Sequence, residues 1–273
     1  MKAVIKKIVN KINPNIGKYY RNRILKNLIT LPPQVGIDGL KFWGLQSYDN
    51  YEKNITKALE SLMRKCEVFV NVGANHGIYC LKMAPVSKVV YAFEALPDNQ
   101  NLLMKNVKEN GLEQKILIFP VAVGEKETLV TFYGASTGGS LIRGWNQQVD
   151  CGITIPLHSL DSILHKRLTN EDKPLFLIDV EGAEFDVIKG AKGIVRDLES
   201  AIFCIEVPCR ELMPNEVFNP NFLVIFEFFF DSGFSAWEID REGNLVRLTP
   251  EIVKYYVESL RYEGIMAVFA RNL

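Results

Sequence analysis

Apolar and polar residues follow one another along this chain in two patterns, short apolar runs and longer segments with helical spacing, and the switch between them repeats. The run Val68 to Val72 breaks at Gly73 and reopens after Gly77 as an amphipathic segment. That pattern predicts a buried strand, a tight turn and a helix start. Upstream, residues 53–65 read as a helix; downstream come a helix at 77–84 and a strand at 88–93. Pro97 opens a helix that runs to Asn110 and stops at Gly111, before a strand at 116–123. Residues 128–133 and 153–157 alternate as a hairpin-like excursion around the polar loop Gly134–Gly152, which contains Ser136, Thr137, Gly138, Gly139 and Ser140. A loop of this kind, inserted late in an α/β domain, has the character of a lid or acceptor loop. A helix at 159–168, a strand from Leu175, a helix at 183–195 and a strand at 201–207 follow. The segment 216–232 carries Phe218, Phe222, Phe226, Phe228, Phe229 and Phe230 and reads as a core helix. Strands near 234–240 and 264–271 close the pattern, separated by a turn at Glu242-Gly243 and a helix around 250–261. Strand–helix–strand alternation at this spacing predicts a mostly parallel sheet with helices on both faces, an α/β fold.

Composition narrows the function classes. With 48% apolar residues the 273-residue chain can bury a full core, and one α/β domain with an extension is the simplest division: 1–52 as extension and connector, 53–273 as the domain. The formal net charge is zero, and the aromatics are scattered without a basic-aromatic pattern, so nucleic acid is not an expected partner. Cys66, Cys80, Cys151, Cys204 and Cys209 show no CxxC spacing, and His76, His158 and His165 are widely separated, so no metal site is expected and the thiols read as reduced. No apolar run is long enough to span a bilayer, and the first residues lack a signal-peptide pattern. The default expectation is a cytoplasmic protein.

Residues 1–31 change that picture in one respect. Lys2, Lys6, Lys7, Lys11, Lys18, Arg21, Arg23 and Lys26 precede the first acidic residue, Asp38, and Val4, Ile5, Ile8, Val9 and Ile12 share one helical face up to Pro14. Such a helix either covers the domain's own core or rests on an anionic membrane surface. The following stretch, 32–52, has Pro32-Pro33 and the aromatics Phe42, Trp43, Tyr48 and Tyr51, and reads as a connector bordering a ligand entrance.

The candidate chemistry centres on the Gly73 turn. Glycines there allow close backbone approach, and amides free at a helix start attract negative charge. The run Lys88 to Phe93 ends in Glu94, about twenty residues on, where a carboxylate is placed to accept hydrogen bonds from a ribose diol. The spacing Gly73-Ala-Asn-His-Gly77 lacks the middle glycine of G-x-G-x-x-G, which makes room for a pyrophosphate, and no Walker lysine is present. A nicotinamide dehydrogenase is therefore disfavoured. An adenosyl cofactor without phosphate, S-adenosylmethionine, fits better, its amino-acid end on the glycine turn. His76 reads as a spacer pointing to solvent, and His158 as an ordinary strand-end residue.

Five short stretches then occur in order: Gly73-Ala-Asn-His-Gly77, Phe93-Glu-Ala-Leu-Pro97, Val121-Ala-Val-Gly124, Leu160-Asp161 and Ile178-Asp-Val-Glu-Gly-Ala-Glu184. Together they resemble the FkbM family of S-adenosylmethionine-dependent methyltransferases over roughly residues 66–210. The resemblance implies a Rossmann-like class I methyltransferase fold with a seven-stranded, mostly parallel sheet and an antiparallel last strand. It also implies O-methylation, often of a sugar or glycan hydroxyl. Asn71, Gly73, Ala74, Asn75, Gly77, Glu94, Ala122 and Asp179 are the expected cofactor residues. Ligands sit beyond the carboxyl ends of parallel strands, so Asp179, Glu181 and Glu206 are the expected catalytic carboxylates, with Glu184 a second choice. The chain departs from the family pattern at Asn71, where Asp is usual, and at Leu177, where Lys is usual. Both departures predict weaker cofactor affinity, and they keep open the alternative of a catalytically silent cofactor-binding or assembly protein of the same fold.

Overall fold

The computed structural model describes residues 30–134, 138–145 and 152–273. The expected basic amphipathic helix before Pro14, Ser136 and Thr137 of the polar loop, and Cys151 lie outside the described residues.

A two-residue ladder, β1 (Gln34–Val35) against β2 (Lys41–Phe42), opens the described chain. Then come α1 (Lys53–Met63), β3 (Val68–Val72), α2 (Ile78–Met83), β4 (Val89–Phe93), α3 (Pro97–Glu109) and β5 (Ile116–Phe119). A side unit follows: β6 (Ala122–Val123), β7 (Thr128–Tyr133) and β8 (Gly152–His158). The chain returns through α4 (Leu160–Leu164), β9 (Pro174–Ile178), α5 (Glu184–Lys189), α6 (Lys192–Asp197) and β10 (Ile202–Val207). It ends with α7 (Phe222–Asp231), β11 (Ser235–Ile239), β12 (Leu245–Leu248), α8 (Pro250–Glu258) and β13 (Ile265–Ala270).

Eight strands form the main sheet in the order β12-β11-β13-β10-β9-β3-β4-β5. The run β10-β9-β3-β4-β5 is parallel, and β13 inserts antiparallel between β10 and β11. Seven of these strands match the expected sheet, with its antiparallel last strand. The eighth, β12, pairs antiparallel with β11 at the edge and was not anticipated. Alternation in β3 sends Val68, Val70 and Val72 to one core and Phe69 to the other, because both sheet faces are covered. On the first face the aromatic helix α7 buries Phe222, Phe226 and Phe229, with Phe229 stacked on Phe269 at 4.1 Å.

Three elements differ from expectation. The strand predicted at 116–123 is two strands in two sheets: Pro120 has no amide to continue the ladder, and Val121 N turns back to Phe119 O at 2.9 Å. The helix predicted at 183–195 breaks at Gly190-Ala191 into α5 and α6. There Asp161 caps α6 by accepting from Gly193 N at 2.7 Å and Ile194 N at 2.9 Å. The aromatic helix begins at Phe222 rather than at residue 216.

The connector is fastened by two asparagines of α3 and its cap. Asn106 accepts from Trp43 N at 2.7 Å and donates to Trp43 O and His76 O at 2.9 and 2.7 Å. Asn110 accepts from Lys41 N at 2.8 Å and donates to Lys41 O at 2.7 Å. Side-chain amides thus satisfy both backbone groups of each connector residue, as a neighbouring strand would. The fastening carries Tyr51 and Glu52 to the carboxyl ends of the parallel strands.

Candidate active site

The first strand of the sheet, β3, has β4 and β5 on one side and β9 and β10 on the other, so the strand order reverses between β3 and β9. The loops beyond their carboxyl ends diverge there, which opens a crevice. A cleft of about 690 Å³, its open mouth included, lies at this point. Gly73, Asn75, Glu94, Ala122, Asp179 and Glu181 all line it.

The glycine turn is built differently from expectation. Gly73 and Gly77 both take φ of +87. A Cβ on Gly73 would fall 1.8 Å from the Asp179 carbonyl oxygen, so the close approach it permits is to the chain's own β9 loop. Four amides of the turn are engaged: Gly73 N and Ala74 N donate to Phe93 O, Asn75 N to Glu94 Oε2 and Gly77 N to Ala74 O. His76 is fully buried rather than solvent-facing, its Nδ1 lies 3.1 Å from Gln46 Oε1, and burial lowers its pKa to about 4. The reason is that the connector covers the turn. Asn71 is also buried and donates through Nδ2 to Cys80 Sγ at 3.4 Å; it lines a smaller pocket with Asn75, Leu177 and Asp179.

Glu94, at the end of β4, is buried, and burial raises its pKa. Its Oε1 accepts from Leu96 N at 2.8 Å and Asn99 Nδ2 at 3.3 Å, and its Oε2 accepts from Asn75 N at 2.7 Å. The Ala95 amide is a further donor to this carboxyl, which lines the cleft. Asn75 Oδ1 is buried without a hydrogen-bond partner, an acceptor left over on the cleft wall.

Opposite stand the carboxyls. Burial raises Asp179, and Glu206 is raised first by the charge of Asp179 and then by burial. The two residues follow the paired Ile178 and Ile205 on neighbouring strands, and a hydrogen bond from the Glu206 carboxyl to Asp179 works to lower Asp179 and to raise Glu206. Glu181 is pushed up to about 8 by burial and by Asp179, against a hydrogen bond from Trp145 Nε1 at 2.6 Å. Ser140 Oγ donates to Glu181 O at 2.6 Å, so the described part of the polar loop rests on this residue. Glu52 accepts from the Tyr79 hydroxyl and is raised by burial. Sequence reasoning missed Glu52 and Trp145: the aromatics of the connector lie beside Glu52, whereas Trp145 is the lone aromatic of a polar loop. Among the described residues no group of three or more His, Cys, Asp or Glu is placed to hold a metal ion.

Glu184 has a different task. Its Oε1 accepts from Val180 N at 3.1 Å and Gly182 N at 3.0 Å, clasping the turn that displays Asp179 and Glu181. It is 1% exposed, and burial lifts its pKa to about 7. A raised carboxyl binds its proton more tightly in the folded than in the unfolded chain. The stabilisation is therefore full below pH ~4.5 and is lost as pH rises through ~7, on the order of 3 kcal/mol in all. Urea melts of wild type and Glu184→Gln between pH 5 and 8 check this: the slope of stability against pH is expected to be shallower in the variant.

The strand order and the reversal-point cleft are those of the class I S-adenosylmethionine-dependent methyltransferase fold. The family model described as Methyltransferase FkbM domain matches residues 71–236, more than half of the sequence, and the chain belongs to that family. No curated protein is a significant match to the sequence. Among solved structures, methyltransferase FkbM from Methylobacillus flagellatus KT is similar at 16% identity and a TM-score of 0.46, over 75% of this chain and 44% of that one. The chain therefore spans less than half the length of that protein. Precorrin-6y C5,15-methyltransferase from Geobacter metallireducens GS-15 is similar at 10% identity and a TM-score of 0.45, over 84% and 93% of the two chains. TYW2 from P. horikoshii, in complex with MeSAdo, is similar at 15% identity and a TM-score of 0.43, over 86% and 70%.

The residues present fit S-adenosylmethionine. The orphaned Asn75 Oδ1 offers an acceptor to hydroxyl and amino groups, and Glu94, Asp179 and Glu181 put carboxyl oxygens on the cleft wall where a sulfonium or an ammonium would rest. Among the described residues no helix is long and apolar enough to cross a membrane.

Proposed function

We propose that the protein transfers a methyl group from S-adenosylmethionine to a hydroxyl of a sugar or surface-glycan precursor. The observation that supports this reading is the buried carboxyl pair of Asp179, which lines the cofactor cleft, and Glu206 beside it on β10. When bound, S-adenosylmethionine supplies an electrophilic methyl group on a cationic sulfur. The chain's own work is to hold the two partners in line and to take the acceptor's proton.

Glu94 and Asn75 hold the ribose and its surroundings, and Gly73, Ala74 and Gly77 shape the turn beneath them. Ala122 from β6 closes the adenine side. Asp179, whose pKa is raised by burial, accepts the hydroxyl proton, and Glu206 keeps it from carrying an isolated buried charge. Glu181 orients the acceptor, held by Trp145. Asn71 acts at one remove, through Cys80 and α2.

Glu94→Ala is expected to weaken S-adenosylmethionine binding about tenfold, a typical loss for a charge-assisted hydrogen bond. The melting profile should remain cooperative. Isothermal calorimetry on folded variant and wild type reads this; equal affinity would remove Glu94 from the site. The silent-protein alternative draws on Leu177, which is buried beside the acidic cluster and adds no charge to it. Under that alternative the wild type binds S-adenosylmethionine yet yields no methylated product across a panel of sugars.

A further inference from the structure

The loop that leaves β7 touches both walls of the cofactor cleft. Ser140 is tied back to the end of that strand by two backbone bonds with Tyr133, at 2.8 and 3.0 Å. Just before it, Gly139 packs so closely that a Cβ there would overlap the Phe132 ring and crowd Leu96, which follows the Glu94 turn. Just after it, Leu141 lines the cleft, as Gly139 does. At the other end of the segment, Trp145 lies against Gly182, where a Cβ would overlap the indole. The segment 138–145 thus joins the wall that ends in Glu94 to the wall that carries Asp179 and Glu181.

On that second wall it holds a strained residue. Glu181 has a φ of +57, in the left-handed region that a residue with a side chain rarely enters. Such a conformation persists only where its surroundings fix it. Here the fixing groups come from the loop. Ser140 Oγ donates to Glu181 O at 2.6 Å and accepts from Ile142 N at 2.9 Å, which grips the main chain. Trp145, fully buried, donates through Nε1 to Glu181 Oε2 at 2.6 Å, which grips the side chain. The ionisable groups acting on Glu181 are all acidic: Asp179 beyond β9, Glu184 opening α5, Glu52 of the connector and Glu206 of β10. They disfavour its charge, and the indole N–H favours it.

We propose that Trp145 is a positioning residue of the reaction centre: from the side unit it sets where the Glu181 carboxyl stands, so that one loop both walls the cleft and aims its acceptor-orienting group. The inference rests on the methyltransferase reading and deepens it, because it assigns the placement of Glu181 to a residue that touches neither cofactor nor acceptor.

Proton–nitrogen NMR of the wild-type chain, labelled at its indole nitrogens, tests this. The chain has three tryptophans, Trp43, Trp145 and Trp237, and single Trp→Phe variants assign their signals. In the cofactor-free protein the Trp145 signal is expected to move between pH 6 and 10 with a midpoint near 8, the value to which burial and Asp179 push Glu181. Glu181→Gln should abolish the movement. An opposite charge nearby favours an ionised carboxyl, so S-adenosylmethionine should place the midpoint roughly one unit lower than neutral-sulfur S-adenosylhomocysteine does. Trp145→Phe keeps a ring against Gly182 and loses the N–H. By calorimetry it should leave S-adenosylhomocysteine affinity within about twofold and cut the preference for S-adenosylmethionine roughly threefold to tenfold. A Trp145 signal that does not titrate, a titration that survives Glu181→Gln, or equal midpoints with the two ligands overturns the proposal. S-adenosylhomocysteine failing to bind the wild type counts against the methyltransferase reading instead, and the titration of the cofactor-free protein still tests the Trp145–Glu181 link.

Discussion

Asp179→Asn is expected to lower the methylation rate by about 10²–10⁴-fold, the usual worth of a positioned general base. An amide keeps the size of the carboxyl and accepts the Glu206 hydrogen bond, but it cannot take a proton from the acceptor. Glu206→Gln is expected to be milder, because a glutamine still donates to Asp179. It removes the shared proton, however, so the two apparent ionisations of the pair should collapse to one in the pH–rate profile. Transfer of label from methyl-tritiated S-adenosylmethionine into glycan extracts, followed between pH 6 and 9, measures both. A near-normal rate in Asp179→Asn would move the base elsewhere.

The second large effect falls on stability. Gly73→Ala should cost about 4 kcal/mol in urea unfolding. Positive φ contributes ~1–3 kcal/mol, and the clash with the Asp179 carbonyl places the change among the severe ones. The contact is backbone on backbone, and neither side can swing away. Gly111→Ala is the control: its φ is +65 but nothing lies within 4 Å of the added Cβ, so only the conformational strain, about 1 kcal/mol, is expected. Similar losses at the two positions would show that the β9 loop yields, and that the turn is less rigid than its geometry implies.

The parallel core was legible because each strand is a short apolar run closed by a turn residue, and each helix has its own spacing. The acidic residues at the carboxyl ends of β9 and β10 were legible for the same reason, since parallel strands all end on one edge of the sheet. What pairs with what was not legible. The glycine-turn amides bond Phe93 O, a backbone group that has no side-chain signature. The burial of His76 depends on a connector whose fastening by Asn106 and Asn110 is a tertiary event. The split at Pro120 was written in the chain, because a residue without an amide ends a ladder, yet the apolar run around it concealed the change of sheet. Asp161 stood in a family motif and turned out to cap α6, so its place in the pattern is accounted for by a structural task.

The asparagine fastening of the connector also sets the clock on which the site opens. Trp43 and Lys41 donate their amides to side chains on a helix, not to a strand, so these protons exchange with solvent only when the connector lifts or α3 frays. The same connector carries Tyr51, which lines the cleft, so deuterium uptake at Trp43 reports how often that wall is released.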